Sequence, residues 1–226
     1  EAMTQLLDGG AEVDAKKDGA TPLSIACKNG DVDAARMLLD NGAEVDRATE
    51  DGWTPLLIAC KNGDVDAARL LLDNGAEIDR ADKEGWNPLY AACSNGHVDV
   101  ARLLLEKGAD INKADEDGET PLAIAKYKGH SSIVTLLEER LDSKFPLHAA
   151  AKIGDVEAMT QLLDGGAEVD KKKDGATPLL VACEKGHVDV VRLLLDKGAE
   201  VDRADEDGRT PLLLVLWNGH VDAARL

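Results

Sequence analysis

The side chains able to do chemistry in this 226-residue chain are four cysteines, five histidines, 44 carboxylates and six aromatic rings. Cys27, Cys60 and Cys93 stand 33 residues apart, and Cys183 recurs at the same phase of the chain. A zinc site would need paired thiolates such as C-x-x-C, and none is present. If the four lie in a row of packed helices, roughly 8–10 Å separates neighbours, beyond the ~7 Å Cα reach of a disulfide. Buried free thiols are predicted, of the kind a reducing compartment maintains. His97, His130, His187 and His220 each follow a glycine, at the phase where Asp31, Asp64 and Asp155 stand elsewhere. An exchange of Asp for His there predicts a helix-start position that either side chain satisfies. No phosphate-cradling glycine loop, H-E-x-x-H or G-x-S-x-G occurs, and the carboxylates recur with the chain's period instead of forming one singular pair. No catalytic, cofactor-binding or metal-binding residue is assigned, and the chain reads as a non-enzyme.

Charge narrows the partners. Lys and Arg number 26 against 44 Asp and Glu, a formal charge of −18, so nucleic acid is excluded as a partner: a net anion lacking a basic stripe is repelled by phosphate. No apolar run reaches the roughly 18–20 residues of a membrane span, and Glu1 to Leu7 show no signal-peptide pattern. With reduced cysteines, an intracellular, cytoplasmic location is expected. Apolar residues make up 44% of the chain and aromatics 3%, so the core must be built from Leu, Ala, Val and Ile.

The elements that position these side chains are marked by proline and glycine. All seven prolines precede leucine, at Pro22, Pro55, Pro88, Pro121, Pro146, Pro178 and Pro211, in steps of 33, 33, 33, 25, 32 and 33. Glycine keeps the same period, eight residues after every proline and three before six of them. Such a period is the mark of one supersecondary unit repeated and stacked. In one unit, Asp51-Gly52 predicts a tight turn, Thr54 a cap, and Pro55 the first position of a helix that ends at Gly63. A second helix begins near Asp64 or Val65, carries Ala68, Leu71 and Leu72 at helical spacing, and ends at Gly75. Helices this short need neighbours to be stable.

The phrases Asp-Gly-Trp-Thr-Pro-Leu-Leu-Ile-Ala-Cys and Leu-Leu-Leu-Asp-Asn-Gly-Ala-Glu-Ile-Asp resemble the ankyrin repeat, and the resemblance covers nearly the whole chain. It implies an all-α repeat solenoid of helix-turn-helix units with connecting turns or β-hairpins, right-stacked into an elongated array with a concave groove. The family's signature histidine is kept only at His148; Ser24, Leu57, Tyr90, Ala123, Leu180 and Leu213 hold its phase elsewhere. In the family that histidine ties neighbouring units together by hydrogen bonds. The resemblance further implies that partners bind the groove formed by turn tips and first helices. Trp53 and Trp86 share one groove phase with Arg209; Tyr127, Lys61 and Trp217 share another. Exposed Trp and Tyr on a charged, aromatic-poor surface have the make-up of a binding hot spot. The expected function is non-enzymatic binding of a partner protein or peptide, with Trp53, Trp86 and Tyr127 as anchors and Glu50, Asp51, Glu84, Glu116, Asp117 and Glu119 favouring basic segments. The alternative is an engineered or structural array, for display or head-to-tail assembly, without a cognate ligand.

A longer period overlies the short one. Residues 1–70 and 157–226 agree at 53 of 70 positions, an internal duplication at an offset of 156. The seam at Leu137 to Pro146 lacks both the Gly-Ala-Glu-Val-Asp phrase and the Asp-Gly turn. Residues 1–142 are therefore expected to form a first unit: a truncated N-terminal cap, three inner repeats and a capping repeat over 115–142. Residues 143–226 form a second, with a cap over 143–170 and inner repeats over 171–226. Glu1 and Leu226 align with Glu157 and Leu70, inside second helices. Both ends thus cut through a repeat, and head-to-tail stacking through apolar faces is expected beside a monomer.

Overall fold

The computed structural model describes residues 2–17 and 19–224; the helical placements expected for Glu1 and Leu226 lie outside the described residues. The chain divides into two compact units, 1–138 and 139–226. In the first unit an inner row of helices, α2 (Pro22–Asn29), α4 (Pro55–Asn62), α6 (Pro88–Asn95) and α8 (Pro121–Lys128), packs in sequence order. Behind it stand α3 (Val32–Asp40), α5 (Val65–Asp73) and α7 (Val98–Glu106), with α1 (Ala2–Asp8) preceding them in the chain. Helix α9 (Ser131–Lys144) runs across the division, and Phe145 alone separates it from α10 (Pro146–Ile153). The second unit repeats the plan, with α10, α12 (Pro178–Lys185) and α14 (Pro211–Trp217) in one row and α11 (Val156–Asp164), α13 (Val188–Asp196) and α15 (Val221–Ala224) in the other. Among the described residues the turns hold only isolated bridges, Lys17 with Ala20 and Lys173 with Ala176.

Local chemistry sets the helix ends. In α4, Thr54 accepts from the Leu57 N–H, Pro55 opens the helix, and Gly63 closes it at φ +79°, donating to the Ala59 and Cys60 carbonyls. Helix α5 is capped by Asp64, which accepts from the Ala67 N–H, and ends at Asp73 with Asn74 as its cap, one residue short of Gly75. The largest fully buried side chains are aliphatic apart from one methionine: Leu23, Leu56, Leu57, Leu71, Leu89, Leu104, Ile133 and Leu137 in the first unit; Met159, Leu179, Leu180 and Leu194 in the second.

The histidines that alternate with aspartate act differently from the helix-start reading. Asp31, Asp64 and Asp155 cap their own helices, whereas His97 and His187 make no side-chain cap bond. Each imidazole reaches back one repeat instead. His97 Nε2 donates to the Lys61 carbonyl at 2.9 Å, His130 to Ser94 at 3.1 Å, His187 to Lys152 at 3.2 Å and His220 to Glu184 at 3.1 Å. A carboxylate is a short acceptor for its own helix N–H groups; imidazole is longer and donates, so it finds the free carbonyls ending the preceding helix. Its ring lies against the preceding glycine: a Cβ on Gly63 would come within 2.5 Å of His97 Nδ1.

Further bonds tie repeat to repeat. The aspartates ending four of the five Gly-Ala-Glu-Val/Ile-Asp phrases accept a backbone N–H from the next repeat: Asp14 from Glu44, Asp46 from Glu77, Asp79 from Asp110 and Asp170 from Glu200, at 3.0–3.1 Å. His148 is 4% exposed, and its Nε2 donates to the Ala176 carbonyl at 3.0 Å. Where that histidine is absent, two of the replacing residues are polar, and only one of them reaches the next repeat. Ser24 closes a capping box with Thr21, and Tyr90 donates to Glu119 at 2.8 Å, in the turn of the next repeat.

Two outcomes follow from these contacts. Alanine at Gly75, at φ +87° with open space around it, is expected to cost about 1–2 kcal/mol from backbone conformation alone. Gly63→Ala adds the clash with His97 and should cost at least about 1 kcal/mol more, an excess that His97→Ala removes in a double-mutant cycle read by urea unfolding. Separately, burial first, with Lys173 and Lys171 nearby, holds His148 below its ordinary value of 6.5 against the opposing pull of the Ala176 carbonyl. The folded chain thus refuses a proton that the unfolded chain accepts. Its contribution is complete above pH 6.5 and is lost as pH falls below it. His148→Gln should flatten part of the decline in thermal midpoint between about pH 7 and 5.

Candidate functional site

Turn residues and the ends of the inner helices bring part of the proposed binding set together. In the first unit Lys28, Thr49, Asp51, Trp53, Ile58, Lys61 and Asn62 line a hollow of about 380 Å³. The Trp53 N–H donates to Thr49 Oγ1 at 3.1 Å, which fixes the turn, and Asn62 Nδ2 donates to the Lys28 carbonyl at 3.2 Å, which holds one helix end to the next. Across the hollow Lys61 Nζ sits 4.2 Å from the centre of the half-buried Trp53 ring, a cation–π contact internal to the chain.

Trp86 has a different setting. Its half-buried ring packs against Tyr90, centroids 5.2 Å apart and tilted by 43°. Tyr90 is buried, and its hydroxyl donates to Glu119, whose N–H donates to Asp115. Burial first, then the Glu119 and Asp115 carboxylates, push the Tyr90 hydroxyl pKa upward, so it stays a donor. Trp86, Tyr90 and Glu119 thus form one joined group spanning two repeats. The sequence missed Tyr90 because it occupies the signature-histidine phase; its signal was a hydroxyl-bearing ring where a donor to the next repeat belongs.

Tyr127, in the last turn of α8, is 80% exposed, with Lys128 Nζ 5.6 Å from its ring centre. Glu50, Asp51, Glu84, Glu116 and Asp117 are exposed on the turns. Their backbones join adjacent turns, the Lys83 N–H donating to the Asp51 carbonyl and the Glu116 N–H to that of Glu84, both at 3.3 Å.

In the second unit Arg209 and Trp217 meet in a hollow of about 390 Å³, with Glu184, Asp205, Glu206, Asp207 and Asn218 among its lining residues. Arg209 Nε donates to Asp205 at 2.7 Å and Nη2 to Asp207 at 2.9 Å. Desolvation pulls the Asp205 carboxyl up, but hydrogen bonds from the Arg209 N–H and guanidinium and from the Asp207 N–H outweigh it and hold the group below the usual carboxylate range. Trp217 is 79% exposed.

The cysteines lie outside both hollows, free and buried. Burial raises Cys27 and Cys93 to about 12 and Cys183 to about 11, and pushes Cys60 higher still. All four are protonated at neutral pH and do not act as thiolates.

A family model described as Ankyrin repeats (3 copies) matches residues 1–82, 79–146 and 147–226. The chain belongs to the ankyrin-repeat family. Ankyrin repeats generally mediate protein–protein interactions and are typically non-enzymatic. A search of curated proteins found no match. Among the described residues no helix is long and apolar enough to cross a membrane. Within these ankyrin repeats the Trp86–Tyr90–Glu119 group predicts a measurable split. Tyr90→Phe keeps the ring packing and loses the hydroxyl donor, and should lower stability by about 1 kcal/mol in denaturant unfolding. Glu119→Gln, which still accepts, should lower it less.

Proposed function

We propose that this chain is a non-enzymatic scaffold that holds a partner protein or peptide against the concave face made by its turns and inner helices. Trp53 with Lys61, Trp86 and Tyr127 supply contact area in the first unit, and Trp217 with Arg209 supplies it in the second. Glu50, Asp51, Glu84, Glu116, Asp117 and Glu119 form an acidic margin that favours basic segments. Buried, protonated thiols suit a reducing, cytoplasmic setting.

The observation that carries the reading is the exposure of Tyr127 and Trp217, two of only six aromatic residues, in the last turns of inner helices. Rings left in water there contribute little to the fold, while covering them gains about 25 cal/mol per Å² of apolar surface. A surface already fixed by inter-repeat bonds avoids most of the ordering penalty on association. A random-peptide display library panned against the full chain is expected to enrich sequences whose binding weakens at least about tenfold in Tyr127→Ala or Trp53→Ala, as hot-spot truncations do. Enrichment of no sequence, or binding indifferent to both changes, overturns the proposal.

A further inference from the structure

The two hollows are the same place in the two copies. Each of the seven residues lining the first, moved by the 156-residue offset, lines the second: Lys28 becomes Glu184, Thr49 Asp205, Trp53 Arg209, Ile58 Leu214 and Lys61 Trp217, while Asp51 and Asn62 persist as Asp207 and Asn218. Five of these seven positions differ between the copies, against 12 of the other 63 in the duplicated stretch. Divergence is therefore concentrated on this surface, while the glycines and Thr-Pro-Leu phrases that build the scaffold are unchanged.

The exchange has a chemical sense. In the first copy the ring comes from the turn and the cation from the helix, and Lys61 covers Trp53 at 4.2 Å. In the second copy ring and cation trade positions. The cation, Arg209, is committed to Asp205 and Asp207, and among the described residues no lysine or arginine stands over Trp217. The surroundings change sign as well. Lys28 and Lys61 outnumber Asp51 in the first hollow, whereas Glu184, Asp205, Glu206 and Asp207, with Asp174, outnumber Arg209 in the second. Glu184 accepts through its backbone carbonyl from His220 at 3.1 Å and Asn218 at 3.4 Å, and its carboxylate pairs at 2.9 Å with the exposed Lys185.

We propose that the hollow of the second unit takes a lysine or arginine side chain from a basic peptide, seated on the Trp217 ring beside Glu184, Glu206 and Asp207. It thereby obtains from a partner the cation–π contact that the first unit makes internally with Lys61. This assignment rests on the reading that the face binds peptides. The two copies are then not equivalent sites: the second selects a cation, and the first, with Lys28 and Lys61 at its mouth, repels one. Ring quadrupole and carboxylates attract the same charge, so the preference weakens with added salt.

The test uses the full ¹⁵N-labelled chain, in which Trp53, Trp86 and Trp217 give three indole N–H resonances. Ac-Ala-Lys-Ala-NH₂ is titrated against its neutral Nε-acetyl-lysine counterpart. The Trp217 resonance is expected to shift saturably with the lysine peptide, and the acetylated peptide to bind at least tenfold more weakly. Glu184→Lys, which restores the first copy's residue at an exposed position, should weaken the lysine peptide at least fivefold while the Trp53 and Trp86 resonances stay in place as the check on folding. A Trp217 resonance that does not move, or moves equally with both peptides, overturns the assignment. Shifts confined to Trp53 or Trp86 also overturn it, yet leave peptide binding on this face standing. That broader reading fails separately, when display panning yields no peptide dependent on Tyr127 or Trp53.

Discussion

An α-helix of eight or nine residues is too short to survive in water, because the nucleation penalty falls on too few hydrogen bonds. Helices α2 to α8 and α10 to α14 are all seven to nine residues long, so each exists by virtue of the repeat beside it. The contact between repeats is thus the interaction on which everything else depends. It combines aliphatic burial, Leu23, Leu56, Leu57 and Leu89 being buried in successive helices of the inner row, with directed polar bonds between repeats. Those bonds are made by aspartates reaching forward to a backbone N–H and by histidines reaching back to a backbone carbonyl. Both satisfy main-chain groups that a short helix or tight turn leaves open.

This arrangement explains how a chain of formal charge −18 tolerates its own carboxylates. Many of them are structural acceptors. Asp31, Asp64 and Asp155 cap helices, Asp14, Asp46, Asp79 and Asp170 hold the following turn, and Asp82, Asp115 and Asp205 close their own turns. Glu50, Asp51, Glu84, Glu116 and Asp117, exposed on the turns, take none of these capping roles. Scaffold and surface are thereby separated at the level of single positions. Glycine at φ near +80° cannot take a side chain without strain and proline at a helix start presets φ, whereas the residue after the turn glycine and the one late in the inner helix are not fixed by backbone conformation. The internal duplication shows the consequence, since the same fold carries Trp53 with Lys61 in one copy and Arg209 with Trp217 in the other.

The sequence by itself determined the repeat, the family, the starts and stops of the helices and the aliphatic core. These depend on backbone rules that act over a few residues: Thr-Pro at a helix start, glycine at a left-handed end, leucine at helical spacing. Burial of the four cysteines was legible for the same reason, as they share one inner-helix phase that Ala151 and Leu216 also hold and that only Lys126, in α8, makes charged. Tertiary structure decided what no local rule contains. It turned His97 and His187 from expected caps into bonds to the preceding repeat, because the relevant carbonyl lies 36 and 35 residues away in the chain. It drew Trp86 onto Tyr90, put Lys61 over Trp53, left Tyr127 and Trp217 in water, and divided the chain at Glu138. Periodicity tells which residues share a phase; only the packing of one repeat against the next determines which side chains at those phases meet each other and which meet solvent.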